Sequence, residues 1–245
     1  MKAAAAAQRG LLDLQAIDTV IAQLEHRRRS LPEHAQILEG HKLRASLGES
    51  LVAARTLVSD LEAEMDKAES DLVPVKERRA RDQRRLDGGT VTDPKQLSAL
   101  IEEIDHLKRR ISDLEDIQLE VMERLEAASG MRDSVQEERT EVEHSLRALI
   151  ASRDALVSQI DDQLAEQRAR QEAAAAALPA ELVALYRRIA ARSGGLGAAP
   201  LNGRRCGGCQ LEATATALAE YAAAAEDEVV RCEECERILV RGGGA

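Results

Sequence analysis

The chain has 245 residues, a formal net charge of −10, 44% apolar and 32% charged side chains, no Trp, no Phe, and Tyr186 and Tyr221 as its aromatics. Large cores and deep catalytic pockets draw heavily on aromatics, so this composition argues against an ordinary globular enzyme and for long amphipathic helices. The acidic balance argues against a general nucleic-acid coat. No run approaches 18 apolar residues, so no membrane-spanning helix is expected, and the expected location is the cytoplasm.

The Ala3 to Ala7 run is a helix former. A first apolar seam follows at Leu14, Ile17, Ile21, Leu24 and Leu31. A second seam, in a different phase, runs Leu47, Leu51, Ala54, Val58, Leu61, Met65, Ala68, Leu72 and Val75. Its alternating steps of four and three are heptad spacing. Pro32 and Gly40 lie between the seams and Pro74 near the end of the second, so a kink or break is expected near the first pair and another at Pro74. Residues 76–85 then carry Lys76, Arg78, Arg79, Arg81, Arg84 and Arg85 against Glu77 and Asp82. This basic patch reads either as a solvated helix face or as a contact for phosphates.

Gly88 and Gly89 break the helix. Asp93, Pro94 and Gln96 then have the spacing of an N-cap, a first-turn proline and a capping box. A second arm reads Leu100, Leu107, Leu114, Val121, Ala128, Val135, Val142, Leu149 and Leu156. Its companion row runs Leu97, Ile104, Ile111, Gln118, Leu125, Arg132, Arg139, Leu146, Arg153 and Ile160. Two heptad arms joined by a short turn predict an antiparallel coiled-coil hairpin. Folding about residue 90 pairs positions whose numbers sum to about 181, and places the Arg-interrupted seam opposite the zone of Pro32 to Leu47. A tight distal half and a looser proximal half follow, with Arg stems snorkelling to water.

Leu178-Pro179 ends the hairpin, Glu181 to Arg192 reads as a short helix, and Ser193 to Gly197 reads as a linker. The expected organisation is mainly α: a hairpin over residues 1–177 with its turn near 87–94, a connecting helix and Gly-rich linker over 178–202, and a small ribbon with short β-strands over 203–245. Gly242 to Gly244 reads as a disordered tail.

The four cysteines form two CxxC pairs, Cys206 with Cys209 and Cys232 with Cys235, separated by 22 residues. Four thiolates complete the tetrahedral set of a structural zinc ion and leave no open position for catalysis. A module this small needs such a staple, with the pairs brought together by strand pairing. The five histidines all lie in the helical arms, which gives a His-containing catalytic zinc no support. A CxxC oxidoreductase is the enzymatic alternative, and the sequence shows no nucleophile–base pair or nucleotide loop. The chain is expected to be a non-enzyme.

The chain resembles the bacterial C4-type zinc-ribbon proteins with an N-terminal coiled-coil hairpin, most closely their actinobacterial members. The resemblance rests on Leu11 to Asp18, on Thr92 to Leu97, on Ile111 to Asp116 and above all on Val230 to Val240. One departure is that Gln210 and Glu236 follow the second Cys of each pair, where Gly often supplies a left-handed backbone. The resemblance implies an adaptor. Some similar proteins are linked to flagellar gene regulation with RNA and sigma-factor binding, others to type III secretion. Here Arg187, Arg188, Arg192, Arg204 and Arg205, with no acid between 187 and 205, are the candidate RNA or DNA contacts. Glu226, Asp227, Glu228, Glu233, Glu234 and Glu236 favour instead a protein-only adaptor or chaperone that bridges clients, such as transcription or secretion machinery, through the coiled coil and the acidic ribbon.

Overall fold

The computed structural model describes residues 1–242, so Gly243 and Gly244 of the expected tail lie outside the described residues. In chain order the elements are helices α1 (Ala5–Arg29), α2 (Pro32–Asp87), α3 (Pro94–Ala176) and α4 (Ala180–Arg192), strands β1 (Ala198–Asn202) and β2 (Arg205–Cys206), helix α5 (Ala215–Ala223), and strands β3 (Val230–Arg231) and β4 (Ile238–Val240). The architecture is mainly α, a long helical hairpin with a small sheet, as the seams and the cysteine spacing predict. The chain divides into two compact units, Gln36–Leu149 and Met1–Ala35 with Ile150–Ala245.

In the first unit α2 buries Leu47, Leu51, Ala54, Val58, Leu61, Ala68 and Leu72. Opposite them α3 buries Leu100, Ile104, Leu107, Ile111, Leu114, Val121 and Ala128. At the turn, Gly89 adopts a φ of 60°, and Asp93 Oδ1 accepts from the Lys95 N–H at 3.0 Å, capping α3. The register differs from the expected sum of 181. Gly40 meets Leu146, Lys76 pairs with Glu115 and Glu64 with Arg124, sums of 186 to 191. The Arg78–Glu103 ion pair, made by two long side chains, has the sum 181. The arms are therefore offset by several residues from the midpoint of the loop, already near the turn, where Leu72 and Val75 cluster with Ile111 and Leu114, because side-chain packing along the seam sets helix register.

The looser stretch of seam is present. No α3 residue between Ala128 and Leu146 is buried. Arg132 and Arg139, at seam positions, stay about one-third exposed and turn their guanidinia to Asp133 and Glu143. Pro74 lies inside α2 without ending it. The break falls at Ser30–Leu31, where α1 ends and Pro32 begins α2 as its first residue. Gly40 is no part of that break. A Cβ there would lie 2.6 Å from Leu146 Cδ2, so this glycine permits close helix approach.

In the second unit α1 serves two partners. Ile21, Leu24 and Leu31 pack with Leu156, Val157, Ile160 and Leu164 of α3. Leu11 and Leu14 pack with Leu182, Tyr186 and Ile189 of α4 and with Ala198 and Ile238 of the sheet. The sheet order is β2-β1-β4-β3, with β1 parallel to β4 and the other pairs antiparallel. Strand pairing thus begins at Ala198, ahead of the boundary expected at residue 203, and the expected linker is pinned. The Gly197 N–H donates to Gln15 Oε1 at 2.7 Å, and Gln15 Nε2 donates to the Gly195 carbonyl at 3.0 Å. The buried Tyr186 hydroxyl donates to Gln15 and to Asp18. Burial first and the Asp18 carboxylate second push this phenol far above its usual range, so it remains a donor.

A Cβ on Gly197 would lie 2.6 Å from both the Tyr186 carbonyl oxygen and its ring. Gly197→Ala is therefore expected to cost about 1–3 kcal/mol by overpacking, seen as a lower thermal midpoint. An unchanged midpoint would show that this junction yields without cost.

Candidate metal centre

The two CxxC pairs are built alike. In the first, the Gln210 N–H donates to the Cys206 carbonyl at 2.9 Å and the Cys206 N–H to the Leu211 carbonyl at 3.0 Å. In the second, Glu236 donates to Cys232 and Cys232 to Arg237, both at 2.9 Å. Gln210 and Glu236 both adopt a φ of 64°. The left-handed turn that usually takes Gly is therefore made here by longer side chains, at about 1 kcal/mol or more each. Gln210 Nε2 offsets part of this by donating to the Gly207 carbonyl at 2.7 Å, and Glu236 by pairing with Arg231 at 2.7 Å.

The glycines inside the first pair have a packing reason. A Cβ on Gly207 would come within 3.0 Å of Pro200 atoms, and one on Gly208 within 2.6 Å of Arg237 Cδ. The segment between the pairs does more than pair strands. It contains α5, whose N-cap Thr214 accepts from the Ala217 N–H. Glu233 accepts from the Thr214 N–H at 2.9 Å, and the Tyr221 hydroxyl accepts from the Glu233 N–H at 3.2 Å. The Thr214 cap and the Ala-rich run after it are the sequence signal for this helix. Cys206, Cys232, Tyr221, Ala199, Ala213, Ala217 and Leu239 form one small core.

All four Sγ atoms lie within 4.8 Å of one another. Cys206 and Cys235 are 3.9 Å apart, as are Cys209 and Cys232. A tetrahedron with Zn–S bonds of about 2.3 Å has edges of about 3.8 Å, so the donor set fits a zinc ion, and the four predicted ligands converge on one point. Cys206 and Cys232 are buried, while Cys209 and Cys235 are partly exposed. The chain matches the C4-type zinc ribbon domain over residues 205–239 and the CT398-like coiled coil hairpin domain over residues 14–194. It belongs to the CT398-like coiled-coil hairpin family. Within that family it is 38% identical to Rv2229c of Mycobacterium tuberculosis over 98% of each chain. A solved Mycobacterium smegmatis structure matches with 35% identity and a TM-score of 0.82, covering 98% of this chain and 100% of that one. CT398 of Chlamydia trachomatis, at 16% identity and a TM-score of 0.65 over 96% and 97% of the two chains, shares the fold. The cofactor of this family's ribbon here is a structural zinc ion.

The basic residues singled out in the sequence separate into two kinds. At the hairpin tip Lys76, Arg78, Arg81 and Arg85 pair with Glu115, Glu103, Glu77 and Asp82. Only Arg79 and Arg84 lack an ion pair among the described residues. In the second group Arg205 pairs with Glu212 at 3.5 Å, whereas Arg187, Arg188, Arg192 and Arg204 are exposed and make no ion pair among the described residues. Two arginines outside both groups act internally. Arg237 donates to the Ser193 and Leu196 carbonyls at 2.9 and 3.0 Å beyond α4. Arg241 donates to the carbonyls of Tyr221, Ala224, Ala225 and Glu228. Loop carbonyls left by short helices are the reason, a need visible only once the helices are placed. The acids are also partly committed, since Asp227 pairs with Lys2 and Glu236 with Arg231.

Without metal, burial pushes the Cys206 thiol up and the Cys232 thiol up to about 12. At Cys235 burial also raises the thiol, but backbone and side-chain hydrogen bonds of Arg237 outweigh it, with those of Cys232 and Cys209, and bring it down to about 7. Zinc must therefore displace the protons of Cys206 and Cys232 at neutral pH. Apparent zinc affinity should rise by about two decades or more per pH unit between pH 6 and 7, in competition with a chromophoric chelator. A flat profile would mean that the thiolates are already ionised.

Proposed function

We propose that this protein is a non-enzymatic zinc-ribbon adaptor that binds nucleic acid through Arg187, Arg188, Arg192 and Arg204, with Arg205 at the edge of the patch. The observation that supports this reading is the contrast in ion pairing. The tip arginines are mostly neutralised by neighbouring carboxylates, whereas these four guanidinia are exposed and unpaired among the described residues. Arginines of this kind suit phosphate contacts, which position a strand without reading its sequence. With Tyr186 and Tyr221 both buried, the surface has no aromatic platform for base stacking. Backbone contact with little sequence preference is the mode expected. A closed four-thiolate centre supplies shape and not chemistry, in keeping with a binding role. Among the described residues no helix is long and apolar enough to cross a membrane. The site of action proposed with this reading is the cytoplasm.

A protein-only adaptor is the second reading. The exposed carboxylates of Glu220, Glu226, Glu228 and Glu234 on the ribbon, which make no ion pair among the described residues, favour it, since they suit a basic protein surface such as a transcription or secretion component.

Titrating labelled single-stranded RNA by anisotropy across a salt series separates the readings. Each phosphate contact contributes about 0.7 to the slope of log affinity against log salt. Changing Arg187, Arg188 and Arg192 together to Ala should weaken binding and lower that slope by about two. Binding absent at low salt, or unaffected by these changes, would transfer the reading to the protein client.

A further inference from the structure

The second unit joins the zinc ribbon to the start of α1 through buried polar contacts that neither an adaptor role nor a structural zinc requires. Gln8 is 3% exposed. Its Nε2 donates to the Ala3 carbonyl at 2.8 Å and to the Glu226 carbonyl at 3.1 Å, with the Glu228 carbonyl at 3.5 Å. The segment before α1 runs alongside the same loop. The Ala3 N–H donates to the Asp227 carbonyl at 2.7 Å, and the Val229 N–H to the Met1 carbonyl at 3.0 Å. One heptad along α1, Gln15 binds the backbone of residues 195 and 197. Between the two glutamines Leu11 and Leu14 are almost fully buried, against α4 and the strand residues Ala198 and Ile238. This face of α1 is thus covered by α4 and the sheet.

That floor stands on the cysteines. The Glu226–Val229 loop enters β3, which leads directly to Cys232, and β4 begins three residues after Cys235. The strands are two to five residues long. Such short strands do not hold a sheet by themselves, and the metal closes the two ends of the loop system together. If the second CxxC pair opens, the carbonyls that accept from Gln8 move away. The buried Gln8 amide then keeps only the Ala3 carbonyl, and the Ala3 N–H loses its own acceptor at Asp227, a loss of buried hydrogen bonds that disfavours the docked position.

We propose that zinc binding at the four cysteines and docking of the first turns of α1 onto the ribbon are one coupled transition, with Gln8 as a coupling residue. Such coupling is reciprocal. Zinc fixes α1, and the docked α1 tightens zinc, so a residue that is no ligand contributes to metal affinity.

Two measurements test this. The first is hydrogen exchange of the whole wild-type chain, with zinc and after chelation. Residues 5–19 should lose protection together with the ribbon, while the seam of residues 47–72 keeps it. Persistent protection of 5–19 in the chelated protein would overturn the proposal. The second is zinc affinity by competition, comparing Gln8→Leu with Leu107→Ala, a seam change in the other unit. Gln8→Leu should weaken zinc binding by about tenfold, within the usual range of coupling between sites, and Leu107→Ala should leave it unchanged. Wild-type affinity in Gln8→Leu, or equal weakening in both variants, would also overturn it. The exchange measurement needs no variant, so a poorly folding Gln8→Leu leaves the test intact.

Discussion

The closing of four thiolates around one ion is the constraint on which the ribbon depends. Its strands have two to five residues, and its apolar core is a handful of Ala, Leu and Cys side chains around Tyr221. A sheet of that size has too little buried area to offset the entropy of ordering its loops. Zinc–thiolate bonding supplies the difference, and each hydrogen bond in the two matched CxxC turns serves to aim a sulfur. The positive φ at Gln210 and Glu236 belongs to the same logic. Local backbone strain is accepted there because the metal holds the turn in place.

The hairpin is stabilised by a different means, a single apolar seam of Leu, Ile, Val and Ala over long helices. This explains how a chain with almost no aromatics folds at all. The seam is clean where α2 and α3 alternate apolar residues, and it thins where Arg132 and Arg139 occupy seam positions. The two means meet at α1. Ile21, Leu24 and Leu31 continue the seam against α3, while Gln8, Leu11, Leu14 and Gln15 turn toward α4 and the sheet. One helix therefore belongs to both modes of stabilisation.

Much of this was legible in the residues. Heptad spacing located both arms, Gly88-Gly89 and Asp93-Pro94 located the turn, and two CxxC pairs identified the metal and its ligands. What stayed hidden depends on tertiary distance. The register of the hairpin is set by which side chains fit against each other along the arms, as Gly40 and Leu146 show, and counting from the loop missed it by several residues. The stretch from Gly194 to Gly197 has linker composition, yet Gln15, 180 residues upstream of Gly195, ties it down. The helix α5 had its signal in Thr214 and the alanines after it, and it adds to the strand pairing expected around the cysteines, which the sheet order β2-β1-β4-β3 contains. The two basic runs already differed in sequence, the first holding Glu77 and Asp82 and the second no acid between 187 and 205. The partners Glu103 and Glu115, however, come to the tip from the other arm and are visible only in the fold, whereas the α4 guanidinia make no ion pair among the described residues.

The ribbon is held by one zinc ion and four sulfurs, and X-ray absorption at the zinc edge of the purified chain, combined with metal quantitation, tests this most directly. One zinc per chain in a shell of four sulfurs at about 2.3 Å is the predicted result. A shell containing nitrogen or oxygen, a substoichiometric metal content in a folded chain, or four freely titratable thiols would contradict it.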